Sequence, residues 1–147
     1  MRMTAVFEHF YAGKNLYEQM VMPVCKAYGL TYMEFTVLMF LVNNPQYDTA
    51  SQISRIRQLS KSHVSISLKG LQEKGMVESH YFPGNQKTLH LSVTEVAKPV
   101  IEQGKKVQKE FGAKLIRGFT PEELELLQVL VDRIHKNMKL EEINDAG

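Results

Sequence analysis

With 147 residues, 44% of them apolar and 23% charged, the chain has the composition of one globular domain large enough to bury a core. No apolar run approaches the roughly 20 residues of a membrane span, the N-terminal stretch lacks a signal-peptide core, and the single cysteine, Cys25, has no partner for an internal disulfide. These features argue against membrane insertion and export, so a cytoplasmic protein is expected. The formal net charge of +2 decides little by itself, but residues 49–93 hold six basic and two acidic side chains, and no acid lies between Asp48 and Glu73. A surface that excludes carboxylates over such a length suits a polyanion.

In chain order, Thr4 to Ala27 reads as a helix with Phe7, Phe10, Tyr11, Leu16, Met20 and Val24 as apolar positions. Thr31-Tyr32-Met33-Glu34 has the pattern of a capping box, in which a hydroxyl and a carboxylate satisfy orphan backbone donors reciprocally. The stripe of Phe35, Leu38, Met39 and Val42 then stops at Asn43-Asn44-Pro45. Thr49-Ala50-Ser51-Gln52 is a second box, opening a short helix through about Arg57. Ser60 caps another helix, whose Val64, Leu68 and Leu71 share one face, with Gly75 at its C-terminal cap.

The period then changes. Val77–Phe82 and Lys87–Val93 predict two strands, the second with Leu89, Leu91 and Val93 on one face, and Pro83-Gly84 suits the centre of a type II turn. After Thr94 a helix is expected to about Phe119, with Pro99 irregularising its first turn. Thr120-Pro121-Glu122-Glu123 is a third box. Leu124, Leu127, Val131, Ile134 and Met138 follow at spacings of three and four, and Leu126, Val129 and Leu130 widen that stripe.

A short helix, a link of about three residues, a second helix and a hairpin directly behind it make a helix-turn-helix with a wing. The expected fold is mainly α with a small β-hairpin wing: a winged helix-turn-helix lobe over 28–95 within a single domain, 1–147. Residues 1–27 and 96–147 form a helical dimerisation region, because their apolar surface exceeds what so small a lobe can cover; a homodimer is the simplest use of it. On the Ser60 helix, inward Val64, Leu68 and Leu71 leave Lys61, Ser62, Ser65 and Lys69 outward, with His63 and Ile66 beside them. Double-stranded DNA is the expected partner. Ser62, His63 and Ser65 are expected at base edges, and Lys61 and Lys69, with Arg55 and Arg57 of the preceding helix, at phosphates; Ser60, Ile66 and the wing-tip residues Asn85, Gln86 and Lys87 complete the expected DNA-binding set.

Two segments carry a family resemblance. The run from Ser60 to Val77, ending in Leu71-Gln72-Glu73-Lys74-Gly75-Met76-Val77, and the junction Leu91-Ser92-Val93-Thr94-Glu95 both resemble the MarR family, to which the chain is similar over nearly its whole length. The resemblance implies a dimeric transcriptional regulator, a repressor, binding a pseudo-palindrome whose half-sites lie about one helical turn apart. It further implies release by a small amphipathic or phenolic ligand, for which Tyr17, Met20, Tyr28, Tyr32 and Met33 are the candidate pocket residues. Where the family wing carries Asp-Arg-Arg this chain has Asn85, Gln86 and Lys87, and Ile66 stands where an arginine is frequent. Lys and Gln do not replace arginine's planar fork in a narrow groove. That departure motivates the alternative of a winged-helix protein with weakened sequence-specific binding that acts through protein contacts.

Other chemistries find little footing. Cys25 does not stand at the position of the reactive cysteine in the family's peroxide-sensing branch, where this chain has Phe7. His9, His63, His80, His90 and His135 are scattered without metal-ligand spacing. No phosphate-binding glycine loop or nucleophile elbow is present, so no enzyme activity, metal or cofactor is expected.

Overall fold

Backbone chemistry at the helix ends sets the element boundaries in the computed structural model, which describes residues 1–145, with side chains as far as residue 139. The order is α1 (Met3–Tyr28), α2 (Tyr32–Asn43), α3 (Ala50–Arg57), α4 (Lys61–Glu73), β1 (Val77–Phe82), β2 (Asn85–Val93), a 3-10 turn (Glu95–Ala97), α5 (Lys98–Leu115) and α6 (Pro121–Asp145). This is the mainly helical winged-helix order expected. The chain divides into two units, Met1–Phe111 and Gly112–Gly147.

The capping boxes of Thr49 and Thr120 form in full. Thr49 accepts from the Gln52 backbone while Gln52 reaches back to the Thr49 amide, and Thr120 and Glu123 do the same. The Thr31 box forms by half. Its hydroxyl accepts from Glu34 N–H at 3.0 Å, but the Glu34 carboxylate turns instead to Lys74 Nζ at 2.8 Å. Glu34 is buried, and a buried carboxylate needs a cation more than it needs a cap. At the far end of α4, Gly75 adopts φ +71°, and the bonds Gly75 N–H to Gln72 O and Met76 N–H to Leu71 O close a Schellman motif.

In the first unit α2 is the central element, with every residue from Glu34 to Leu41 except Thr36 buried. Around it pack Val21 of α1, Ile53 of α3, Val64 and Leu71 of α4 and Val100 of α5, all sealed from solvent. Each such side chain contributes about 1.5–3 kcal/mol on burial. Inward Val64, Leu68 and Leu71 are found as expected, and Ser67 joins them.

The hairpin pairs antiparallel from Val77↔Val93 to His80↔His90, and the register then shifts before Phe82↔Asn85. Gly84 at φ +80° gives the turn the sign that Pro-Gly demands. A type II turn fits the right-handed strand twist poorly, which accounts for the irregularity. Strand β2 begins at Asn85, two residues before the expected Lys87. Leu91 is buried and Val93 packs on the core, whereas Leu89 is exposed.

The fifth helix also differs from expectation. Pro99 is the second residue of α5, where an amide donor has no helical partner to lose, and the 3-10 turn absorbs the irregularity before it. The helix ends at Leu115 rather than about Phe119, with Gly118 at φ +84° after it. In the second unit, α6 presents Leu126, Leu127, Val129, Leu130, Val131, Ile134 and Met138 as exposed side chains.

Candidate nucleic-acid interface

The turn between α3 and α4 fixes how α4 is presented. Gln58 holds φ +53°, the one left-handed non-glycine position among the described residues. Around it Leu59 N–H donates to Ser54 O at 3.0 Å, Ser54 Oγ donates to Leu59 O at 2.6 Å, and Gln58 Nε2 donates to Arg55 O at 3.2 Å. Ser60 then caps α4 by accepting His63 N–H at 3.1 Å. A side chain that already accepts a cap bond is committed to positioning.

Beyond the cap, Lys61, Ser62, His63, Ser65, Ile66 and Lys69 are all exposed and share one helix. No carboxylate lies on α3 or on α4 before Glu73. Lys74, which raised the positive balance of this region, is paired with Glu34, so its charge is largely neutralised at the surface. At the wing tip Asn85, Gln86 and Lys87 are exposed, and Asn85 Oδ1 accepts the Lys87 amide at 3.1 Å.

The two arginines of α3 occupy different surroundings. Arg55 borders a polar hollow shared with Asp48, Ser51, Gln52, Thr88 and His90. Arg57 lines a different cavity of about 350 Å³, together with Tyr17, Thr36, Met39, Asn43, Gln108 and Phe111. There Gln108 bridges from Asn43 to the Tyr17 hydroxyl at 3.1 Å each, and the Tyr17 ring packs on Phe111 at 5.1 Å. Of the five residues expected to line a ligand pocket, Tyr17 alone borders this cavity. Tyr28 and Tyr32 pack against the core, and Met20 and Met33 are half-buried. Burial, with the neighbouring Tyr17 and Glu18, pushes the Tyr32 hydroxyl up from its ordinary value.

A contact that sequence reasoning missed holds the base of the wing. Asp48, in the loop before α3, accepts Leu91 N–H on its carbonyl at 2.8 Å, and both its carboxylate oxygens lie 3.0 Å from His90 Nδ1. The Phe82 ring stacks on His90 at 3.9 Å between centroids. The signal was absent because Asp48 and His90 meet only once the hairpin register and the position of the preceding loop are both fixed.

Cys25 is buried, its Sγ 3.9 Å from the Thr31 carbonyl. Burial pushes its thiol up, a backbone hydrogen bond offsets part of that, and the Glu34 carboxylate adds a smaller upward push. That is the reverse of what a reactive thiolate needs. Among the described residues no three His, Cys, Asp or Glu side chains group as metal ligands, and no single helix is long and apolar enough to cross a membrane.

Residues 28–84 match the sequence model of the MarR family. Among solved structures, the chain is similar to a MarR transcriptional regulator from Methanosarcina mazei Go1, at 17% identity and a TM-score of 0.76, covering 93% of this chain and 99% of that one. It is also similar to a MarR family regulator from Listeria monocytogenes complexed with 26mer DNA, at 15% identity and a TM-score of 0.76, covering 90% and 87%. The S. aureus MepR–DNA complex matches at 15% identity and a TM-score of 0.73, covering 92% and 95%. At these identities the structural likeness carries the fold.

Proposed function

We propose that the chain, whose residues 28–84 match the sequence model of the MarR family, is a cytoplasmic transcriptional regulator of that family, a repressor, that binds a pseudo-palindromic DNA operator as a homodimer. The observation that carries this reading is the exposed outer face of α4, free of carboxylates from Lys61 to Gln72. Phosphates repel acids and attract Lys61, Lys69 and Arg55, while the short side chains of Ser62, His63 and Ser65 let the helix approach base edges closely. Solved structures of the same fold include complexes with DNA. Asn85, Gln86 and Lys87 at the wing tip contribute hydrogen bonds and one charge to the duplex, without arginine's fork. Such a protein acts by occupancy rather than by chemistry, and its effector is a small amphipathic or phenolic compound. The cavity walled by Tyr17, Arg57 and Gln108 supplies aromatic, cationic and amide groups for such a ligand.

A salt titration tests the reading. Binding to DNA from upstream of the protein's own gene is expected to exceed binding to random duplex, with log affinity falling linearly with log salt. Lys69→Ala should weaken binding to every sequence and reduce the slope by about one phosphate contact. Affinity for duplex no greater than that of a neutral control protein at low ionic strength sinks the reading. Equal affinity for both duplexes favours instead a winged helix that works through protein contacts.

A further inference from the structure

Ile66 is apolar without a structural reason to be so. It lies at the middle of α4 and is 70% exposed, more than any other large apolar side chain of the described residues except Met1. Packing does not call for it, since the core side of the helix is filled by Val64, Leu68 and Leu71. Helix propensity does not favour it either, because Lys, Gln or Arg would serve an exposed helical site better. Its helix neighbours at i−4 and i+4 are Ser62 and Gly70, so the branched side chain stands proud of small groups. It is a single apolar projection among polar and cationic side chains, not part of an oily patch of the kind that covers a protein partner.

The surface around Ile66 is built for a polyanion, and the duplex major groove offers one apolar feature to a recognition helix, the 5-methyl group of thymine. We propose that Ile66 is a specificity-determining residue whose side chain packs against a thymine 5-methyl in each operator half-site. The proposal rests on the reading of α4 as the helix that enters the major groove. A β-branched residue suits the task, since its χ1 is already restricted in the helix and little freedom is lost on contact. The same choice would let a helix whose neighbouring outward positions include the short Ser62 and Ser65 discriminate among A·T and G·C pairs.

The test uses the full chain and duplexes that it selects from a random pool. In a selected duplex each thymidine is replaced in turn by deoxyuridine, which removes the methyl group and leaves every hydrogen-bonding edge unchanged. The wild type is expected to lose about three- to tenfold in affinity at one position of each half-site. Ile66→Ala, folded as judged by circular dichroism, should bind the thymine and uracil forms equally, and Ile66→Val should retain most of the discrimination. If the wild type is indifferent to every replacement, or if Ile66→Ala discriminates as well as the wild type, the assignment is wrong while the DNA-binding reading stands. If no duplex is enriched at all, both fall.

Discussion

At Gly104 the place of a side chain is already taken: a Cβ there would lie 2.7 Å from Met39 Sδ and 3.1 Å from Phe35 Cε2. Gly104→Ala gains about 1 kcal/mol in helix propensity but overpacks the contact between α5 and α2, a cost of about 1–3 kcal/mol. A net loss of about 1 kcal/mol in chemical denaturation is expected, and a stabilised variant would show that Met39 yields freely. Cys25 acts on stability through its proton. Burial raises its folded-state value, so the native chain holds the thiol proton more tightly than the unfolded chain does. Its contribution is therefore complete below the ordinary thiol value of about 8.5 and is lost as pH rises through the folded value. Tyr32, also raised, adds the same sign at higher pH. The urea midpoint should fall from about pH 8 upward, less steeply for Cys25→Ala in the lower part of that range; equal slopes in both proteins would remove Cys25 from the account.

Between elements, what the sequence made legible was local chemistry. The Thr49 and Thr120 boxes, the Ser60 cap, the glycine after α4 and the inward face of Val64, Leu68 and Leu71 each depend on residues within a turn or two of one another. What stayed hidden depends on groups distant in the chain: Lys74 drawing Glu34 from its box 40 residues away, Gly104 allowing α5 onto α2, and Arg57 lining a cavity with Tyr17 and Gln108. The Asp48–His90 contact belongs to the same class, 42 residues apart, and it ties the wing to the loop before α3. Asp48→Ala removes the carboxylate and leaves the Leu91-to-Asp48 backbone bond available. A loss of about 1 kcal/mol is expected, concentrated in the hairpin. In hydrogen exchange, amides of β1 and β2 should exchange several-fold faster while those of α2 change less. Equal acceleration in both would mean that the contact supports the whole unit and gives the wing no orientation of its own.

For the molecule as a whole, the terminal helices pose the largest imbalance. Met3, Phe7, Phe10 and Tyr11 of α1 are exposed, and so are Leu126, Leu127, Val129, Leu130, Val131, Ile134 and Met138 of α6. Apolar surface of that extent is rarely left to water by a stable monomer, and a two-fold partner burying the same surface is the simplest cover. The proposed operator has two half-sites, so the proposed dimer would also determine affinity: the second half-site would be engaged at the effective concentration set by the first. Leu127 and Ile134 lie seven residues apart on one stripe of α6, and converting both to glutamate would place two charges where an apolar contact is expected. The double variant Leu127→Glu, Ile134→Glu should sediment as a monomer at micromolar concentration and lose about a hundredfold or more in affinity for a two-half-site duplex. Its binding to a single half-site should change far less, because α4 and the wing carry none of the substitutions. A double variant that still sediments as a dimer would show that this stripe of α6 is not the seam.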